Sequence, residues 1–295
     1  MPLRTLLNRA AGPALALLAA LPGCAPVDLL NATVSTRGLA VERAIAYGPE
    51  PRQVLDIWRP TPSATQAAAP LPVVVFFYGG AWQEGARGDY AFVAADLARH
   101  GHVVVVPDYR VHPGARYPAF LQDGAAAIAA ARRLAPRHGG DPARLVLMGH
   151  SAGAHIAAML ALDPRWLAEV GEDRSRIAGL VGLAGPYDFL PIERPDIIEV
   201  FAPAPDPLET QPVTFADRHA PPALLLHGTA DTTVLPRNSQ SLAARLAAAG
   251  VPATLRLYEG VGHVGIVLGF ARATRGASPA LQDATGFIAA LPPRS

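Results

Sequence analysis

The sequence predicts a single α/β domain in which helices cover both faces of a mostly parallel central sheet. Apolar runs typical of strands alternate with helical stretches from residue 72 to the C-terminal region. The runs are continuously apolar rather than alternately apolar and polar, which is typical of strands buried on both faces of a parallel sheet. Hydrophobic residues make up 51% of the 295-residue chain, a fraction that supports a substantial core.

The first element that the sequence predicts is an export signal. Residues 1–24 combine a short basic start, an apolar stretch too brief to span a bilayer comfortably, and small residues before a cleavage point. We expect residues 25–40 to form a tether and residues 41–295 to form the folded domain.

The end of this signal, Leu21-Pro22-Gly23-Cys24, resembles a bacterial lipobox, in which the cysteine is lipidated and becomes the new N-terminus. The resemblance implies a membrane-anchored lipoprotein that faces the periplasm or the exterior. Pro22 departs from the small residue that is usual there, so a plain secretory signal with a periplasmic or secreted product is the alternative. Cys24 is the only cysteine, so the mature chain has no internal disulfide.

Strands and helices follow in an order that can be read from the apolar pattern. Two alternating strands, 41–47 and 53–58, come first and are joined by a turn rich in proline and glycine. The continuously apolar strands are predicted at 72–78, 102–106, 144–148, 177–183, 222–226 and 253–258. Helices are predicted near 89–99, 119–135, 152–162, 236–249 and 279–291. The proline-rich stretch 186–222 has no strong periodicity, and we interpret it as a lid or an irregular insertion.

The pentapeptide Gly149-His150-Ser151-Ala152-Gly153 lies between a predicted strand and a predicted helix. A G-x-S-x-G motif in that context is typical of a sharp turn that exposes the serine hydroxyl above the sheet. Glycines are needed on both flanks, because a side chain there would collide with the neighbouring element. The helix N-terminus that follows faces any negative charge that develops at the serine. We therefore predict that Ser151 is a nucleophile rather than part of a turn that merely packs.

A serine hydroxyl needs a base, and the base needs an acid that orients it. In triads built on such a turn, the acid and then the histidine follow the serine in the chain. Among the histidines well beyond the serine, His219 precedes an apolar strand, and His227 leaves the acid-bearing loop on its wrong side. His263 follows the last apolar strand and is flanked by glycines that let a loop carry the ring to the site. His263 is the predicted base.

Asp231 is the predicted acid, because it follows strand 222–226 at the carboxyl edge of the sheet, where functional groups collect. Glu259 is the competing candidate. It lies only four residues before His263, which makes an approach to the far ring nitrogen awkward.

An oxyanion that forms on attack needs backbone donors. The first predicted donor is the N–H of Ala152, the residue after the nucleophile, and the others are expected from the loop Tyr78-Gly79-Gly80-Ala81-Trp82. The paired glycines allow this backbone to approach a ligand closely.

Together these pieces resemble the α/β-hydrolases of the carboxylesterase and hormone-sensitive-lipase-like group, nearest the small esterases and the arylformamidase-like members. The resemblance runs from about Val41 to Leu291 and rests on 78–82, 107–110, 149–153, 227–231 and 262–263. It implies that the oxyanion donors are the N–H groups of Gly80, Ala81 and Ala152.

The resemblance also implies roles for side chains near the oxyanion loop. Tyr78 stands where the family usually has histidine, and we expect its hydroxyl to brace the loop. Tyr78 and Trp82 are candidate substrate-pocket residues, although Trp82 is equally able to pack under the loop. Asp108 and Arg110 are expected to have a structural role through an Asp–Arg interaction.

The resulting prediction is a serine carboxylic-ester hydrolase that acts on small or medium acyl esters through an acyl-enzyme, without a cofactor. The alternatives are an arylformamidase-like amide hydrolase, which uses the same triad, and a non-catalytic envelope protein of the same fold. No metal site is predicted, because the histidines are scattered and the cysteine lies in the signal. The formal net charge of +1 gives no reason to expect a nucleic-acid partner.

Overall fold

The computed structural model describes residues 31, 33–61 and 69–294. The predicted export signal, Cys24 and the first part of the predicted tether lie outside these residues. In the described ranges, no helix has both the length and the apolar character needed to cross a bilayer.

An eight-stranded sheet forms the centre of the described chain, with the strand order β1-β2-β4-β3-β5-β6-β7-β8. Strands β3 to β8 are parallel to one another, whereas β2 runs antiparallel to both β1 and β4. The predicted fold class is therefore confirmed. The strands are β1 (Leu39–Ala46), β2 (Val54–Pro60), β3 (Leu71–Phe77), β4 (Val103–Pro107), β5 (Gly140–His150), β6 (Gly179–Leu183), β7 (Ala223–Gly228) and β8 (Ala253–Tyr258).

Burial explains why the central strands are continuously apolar. Every residue of β4, β6 and β7 is buried, because helices cover both faces of the sheet at these positions. The edge strand β8 is only partly covered, and Leu257 is 41% exposed. The polarity pattern of the sequence thus predicted both the presence and the layering of the strands.

Eight α-helices are found within the described residues, and the five predicted ones are among them. They are α1 (Ala91–Arg99), α2 (Ala119–Leu134), α3 (Ala152–Leu162), α4 (Pro164–Ala168), α5 (Pro195–Phe201), α6 (Arg237–Ala248), α7 (His263–Leu268) and α8 (Ala280–Ala290). A 3₁₀ turn at Arg87–Tyr90 occupies the start of the first predicted helix. The helices α4, α5 and α7 were not predicted. Each has five to seven residues, too few to show a clear helical period.

The segment 186–222 lies beside α3 and contains α5 with two 3₁₀ turns, Pro207–Thr210 and Pro212–Phe215. All eleven residues of α3 are buried. In α3, Nε2 of His155 lies 2.8 Å from the carbonyl oxygen of Thr210 in the segment. The segment is therefore structured and packed, and its role as a lid stays a prediction.

Candidate active site

The candidate site lies at the carboxyl edge of the parallel strands. Ser151 follows β5 at the centre of the sheet, and the loop that begins at Tyr78 follows the adjacent β3. Asp231 comes after β7, and His263 comes after β8. Parallel strands direct the loops after their carboxyl ends to one edge of the sheet, so these four regions converge although they are distant in the chain.

The turn at Ser151 has the strained geometry expected of an exposed nucleophile. Ser151 has φ 54° and ψ −125°, a left-handed region that non-glycine residues rarely occupy. The N–H of Ser151 donates to the carbonyl oxygen of Leu183 in β6, 2.9 Å away, which anchors the turn on the neighbouring strand. The side chain is partly exposed, so its hydroxyl is accessible above the sheet.

The flanking glycines are required by close backbone contacts. A Cβ placed on Gly153 would lie 2.1 Å from the carbonyl oxygen of Phe77 and 2.3 Å from that of Tyr78. A Cβ on Gly149 would lie 2.3 Å from the carbonyl oxygen of Gly153. These obstacles are backbone atoms and cannot rotate away, so the helix α3 can start this close to β3 only with glycine at both positions.

Gly153→Ala is expected to displace the turn and lower the free energy of unfolding by about 2–4 kcal/mol, because the added methyl overlaps backbone. Gly286→Ala in α8 is the matched control, since a Cβ there meets nothing within 4 Å. The control should be neutral or stabilising by up to about 1 kcal/mol. Urea unfolding of both variants checks this. Equal stability of Gly153→Ala and the wild type would contradict the packing described here.

Ser151, His263 and Asp231 form a continuous hydrogen-bonded row. Oγ of Ser151 lies 2.9 Å from Nε2 of His263, and Nδ1 of the same ring lies 2.7 Å from Oδ2 of Asp231. A carboxylate only accepts hydrogen bonds, so Nδ1 carries the ring proton and Nε2 is free to accept one from the serine. The structure thus brings the three predicted residues together in the tautomeric arrangement that a general base needs. His263 itself is the first residue of α7 rather than part of a loop.

Asp231 is held as a carboxylate by several donors. Its Oδ1 accepts the N–H groups of Thr233 and Val234, each at 2.9 Å, and its Oδ2 lies 3.2 Å from Nε2 of His227. Burial raises the pKa of this carboxyl, but the hydrogen bonds from His227 and His263 outweigh burial and hold the pKa well below its usual range. Asp231 therefore stays ionised opposite the imidazole.

His227 belongs to the site in a way that the sequence did not predict. Its buried ring lies behind Asp231, with Nδ1 2.7 Å from Oγ of Ser239 and Nε2 2.8 Å from the carbonyl oxygen of Val234. Nε2 therefore carries a proton that is shared between this carbonyl and the carboxylate of Asp231. The competing acid, Glu259, is exposed to solvent.

The oxyanion loop lies directly against the turn at Ser151. A Cβ placed on Gly79 would be 3.1 Å from Cβ of Ser151. Gly80, Ala81 and Trp82 have φ of 131°, 51° and 60°, and this run of positive φ turns the backbone sharply after β3. Within the described residues, the N–H groups of Gly80, Ala81 and Ala152 donate to no protein acceptor. The predicted oxyanion donors are thus unpaired beside the serine, as donors for a developing charge must be.

Tyr78 was predicted both as a brace for this loop and as a pocket residue, and its buried position agrees only with the first. Its side chain is fully buried and stacks on Tyr109 at a ring distance of 4.6 Å, so it does not line a pocket. Its hydroxyl accepts from Arg52 at 2.8 Å and donates to Oδ1 of Asp108 at 3.1 Å. The pocket prediction failed because the sequence does not show on which side of the strand end this ring lies.

Asp108 and Arg110 each make an ion pair, but with other residues and not with each other. Asp108 pairs with Arg87 and also accepts the backbone N–H of Arg87 at 2.6 Å. Arg110 makes a bidentate ion pair with the fully buried Asp123, and Nη2 of Arg110 lies 2.8 Å from Oδ1 of Asp123. Both residues make structural ion pairs, as predicted. Asp108 joins the segment after β4 to the 3₁₀ turn at Arg87–Tyr90, and Arg110 joins it to α2.

Trp82 is largely buried and packs against the segment 186–222. Its ring centroid lies 4.8 Å from that of Phe201 and 6.1 Å from that of Phe189. The edge contact with His155 of α3, at 5.1 Å, completes an aromatic cluster beneath the oxyanion loop. Trp82 therefore packs under the loop, and its contact with a substrate stays a prediction.

Two further side chains, Tyr90 and His150, contact the site. The hydroxyl oxygen of Tyr90 lies 3.3 Å from the N–H of Gly79 and 3.1 Å from Nδ1 of His150. Nε2 of His150 lies 3.1 Å from the carbonyl oxygen of His263. The sequence carries no signal for Tyr90, and His150 occupies the variable position of the G-x-S-x-G motif. In the described part of the chain, no group of three or more His, Cys, Asp or Glu side chains is arranged so that it could hold a metal ion.

Comparison with protein families and curated proteins identifies relatives of this chain. The model of the family BD-FAE matches residues 55–246, more than half of the chain. Esterase LipC of Mycobacterium tuberculosis is 34% identical over 226 residues, which cover 70% of this chain and 55% of the relative. The isoprenylcysteine alpha-carbonyl methylesterase ICME of Arabidopsis thaliana is 32% identical over 250 residues, which cover 77% of this chain and 57% of the relative. The chain thus spans less than two thirds of the length of these relatives.

Solved structures show the same architecture. The butyrate-bound thermophilic esterase Est2 of Thermogutta terrifontis matches with a TM-score of 0.69 at 25% sequence identity. The match covers 86% of this chain and 95% of that chain.

Proposed function

Because the chain belongs to the BD-FAE family of α/β-hydrolase esterases, we propose that it is a serine carboxylesterase that cleaves small to medium acyl esters through an acyl-enzyme. One observation carries this proposal, the hydrogen-bonded row from Ser151 through His263 to Asp231. The unpaired N–H groups of Gly80, Ala81 and Ala152 beside the serine support it.

Acylation begins with attack of the Ser151 oxygen on the ester carbonyl carbon. Nε2 of His263, 2.9 Å away, takes the serine proton as the new carbon–oxygen bond forms. The imidazolium that results is stabilised by the carboxylate of Asp231, which keeps its negative charge. The negative charge on the former carbonyl oxygen is accepted by the backbone N–H groups of the oxyanion loop and of Ala152.

Collapse of the tetrahedral intermediate breaks the bond to the leaving alcohol, which takes its proton from the His263 imidazolium. A water molecule then gives its proton to the same imidazole and attacks the acyl carbon. The second tetrahedral intermediate releases the carboxylic acid, and the Ser151 oxygen recovers its proton from His263. Every proton in the cycle passes through Nε2 of His263, so no cofactor is required.

A short acyl group is the substrate feature that one solved relative favours. The Thermogutta terrifontis esterase structure holds butyrate, a four-carbon acid. We therefore propose esters with short acyl chains as the preferred class for this chain.

The test is a panel of p-nitrophenyl esters with increasing acyl length, assayed beside an aryl formamide at equal enzyme concentration. We expect kcat/KM to be highest for short acyl esters and to be low for the aryl formamide. Faster turnover of the formamide would favour the arylformamidase-like alternative. If the enzyme neither turned over any ester nor reacted with a fluorophosphonate probe, the non-catalytic alternative would hold instead.

We also propose that the enzyme is a membrane-anchored lipoprotein with its acyl chains on Cys24. A single acyl chain holds a protein only marginally, whereas several chains on one terminus hold it firmly. The full-length protein should therefore fractionate with membranes and leave them in detergent, and Cys24→Ser should leave an unprocessed precursor with unchanged esterase activity. Mass spectrometry of the mature N-terminus checks this. An unmodified N-terminus elsewhere in the chain would show a plain secretory signal.

A further inference from the structure

His150 and Tyr90 form a hydrogen-bonded chain between the oxyanion loop and the base. The N–H of Gly79 points at the Tyr90 oxygen at 3.3 Å, and that oxygen lies 3.1 Å from Nδ1 of His150. On the far side of the imidazole, Nε2 lies 3.1 Å from the backbone carbonyl oxygen of His263. This hydrogen-bonded chain therefore has the oxyanion loop at one end and the backbone of His263, the proposed base, at the other.

The direction of each hydrogen bond follows from its partners. The carbonyl oxygen of His263 can only accept, so Nε2 of His150 carries the ring proton and Nδ1 is an acceptor. Nδ1 accepts a hydrogen bond from the hydroxyl of Tyr90, and the Tyr90 oxygen in turn accepts one from the N–H of Gly79. Each donor in this hydrogen-bonded chain therefore faces an acceptor. The three hydrogen bonds can all form only with the ring proton of His150 on Nε2.

Burial keeps both side chains in the protonation states that this arrangement needs. Burial, aided by the neighbouring His263, lowers the pKa of His150 to about 3, and burial raises the pKa of Tyr90 to about 12. Both groups are therefore neutral over the range in which a serine esterase operates.

Each end of the hydrogen-bonded chain lies beside a group that the proposed mechanism uses. His263 starts α7, a helix of six residues, and the next residue, Val264, is 52% exposed. At the other end, Gly79 directly precedes the run of positive φ that presents the N–H groups of Gly80 and Ala81. His150 is joined covalently to Ser151, so a restraint on its ring is a restraint relative to the nucleophile.

We propose that His150 and Tyr90 are positioning residues, which hold the base and the oxyanion loop in register with Ser151. This inference rests on the proposed esterase function. Neither side chain gives or takes a proton in the proposed mechanism, although the ring of His150 lies beside that of His263, with centroids 4.9 Å apart. Their effect is therefore expected in kcat rather than in substrate binding.

Tyr90→Phe is the direct test, because it removes one oxygen and leaves the ring and its stacking in place. The Gly79 N–H and Nδ1 of His150 both lose their partner, and small shifts in the reacting geometry are costly. We expect kcat for p-nitrophenyl butyrate to fall about ten- to a hundred-fold, with KM within about twofold of the wild type. The rate of labelling by a fluorophosphonate should fall in parallel.

Tyr258→Phe is the matched control, since it also removes a hydroxyl that makes a hydrogen bond, in this case to Asp283 at 2.6 Å, outside the site. Its kcat should match that of the wild type. His150→Gln should keep more activity than His150→Leu, because an amide supplies one donor and one acceptor as the neutral imidazole does. The double variant Tyr90→Phe/His150→Leu should be no slower than His150→Leu, because both substitutions break the same chain.

These measurements separate a positioning role from a merely structural one. Unchanged kcat in Tyr90→Phe, additive losses in the double variant, or a loss that follows the fraction of unfolded enzyme would each overturn the inference. The wild type is assayed first with the same ester and probe. An inactive and unlabelled wild type would overturn the proposed function itself.

Discussion

Ser151→Ala is expected to lower kcat for ester hydrolysis by about a million-fold, the loss seen when a triad serine is removed. The substitution deletes only the oxygen that lies 2.9 Å from Nε2 of His263, so the attacking atom disappears while the turn remains. The expected unfolding midpoint is close to that of the wild type, because the Ser151 side chain is partly exposed and fills no cavity.

The control for this variant is Ser241→Ala. Ser241 lies on α6 and donates its hydroxyl proton to Asp188, away from the candidate triad. We expect its kcat to stay near the wild-type value. Hydrolysis of p-nitrophenyl butyrate by both variants, purified free of host esterases, checks the prediction. More than a few per cent of wild-type activity in Ser151→Ala would rule out this serine as the nucleophile.

Asp231→Asn is expected to lower kcat by about 10⁴-fold while the fold is retained, as when the acid of a serine protease triad is replaced by its amide. The amide oxygen can still accept the N–H groups of Thr233 and Val234, which leaves the amide NH₂ facing His227 and His263. Facing a donor, Nδ1 of His263 must become an acceptor, so the ring proton moves to Nε2. That tautomer cannot accept the proton of Ser151.

Glu259→Gln is the matched control for the acid, because it makes the same chemical change at the competing carboxylate. Glu259 is exposed, and its amide variant should keep the wild-type kcat. A large loss in Glu259→Gln together with an active Asp231→Asn would show that the acid is wrongly assigned.

The pH dependence of the wild type gives an independent test of these roles. A protonated imidazole cannot accept the serine proton, so general-base catalysis by a histidine predicts that kcat/KM falls at acid pH. Asp231 does not contribute to this fall, because its hydrogen bonds hold its pKa well below the usual range of a carboxyl. The acid limb should therefore fit a single ionisation when kcat/KM for p-nitrophenyl butyrate is measured across pH. A second ionisation in that limb that disappears in Asp231→Asn would show that Asp231 is less firmly held than the contacts indicate.

The parts of the site that the sequence predicted are those encoded in local pattern and chain order. The glycines around Ser151 mark a strand-to-helix turn, and the contacts of Gly153 with β3 show why no other residue fits there. Asp231 and His263 were predicted because parallel strands bring their carboxyl-end loops to one edge. The structure brings these residues together, and their catalytic roles remain for the variants to test.

The parts that the sequence could not predict depend on which way a side chain points and on what lies across the fold. Tyr78 was predicted to line a pocket, but its ring is turned into the core beside Tyr109. The contact of His227 with Asp231 requires knowledge of the loop conformation after β7, and Tyr90 lies 60 residues from His150. Such contacts leave no periodic trace in one sequence, since each is a single polar residue in an otherwise ordinary segment.

The short helices were missed for a related reason. Pro195 begins α5 within a proline-rich stretch, where its fixed φ suits a first helical turn although prolines usually mark loops. α7 contains glycine and β-branched residues and is held by the burial of Ile266 and Val267 rather than by helix propensity.

Reaction with a fluorophosphonate, followed by mass spectrometry of the digested enzyme, tests the central claim most directly. The probe phosphonylates a serine only where a base activates it, so the reaction reports the nucleophile without assuming a substrate. We expect one adduct per chain, on the peptide that contains Ser151, with loss of ester hydrolysis in proportion to labelling. An adduct on another residue, or full hydrolysis by an enzyme labelled at Ser151, would contradict the assignment of this serine as the nucleophile.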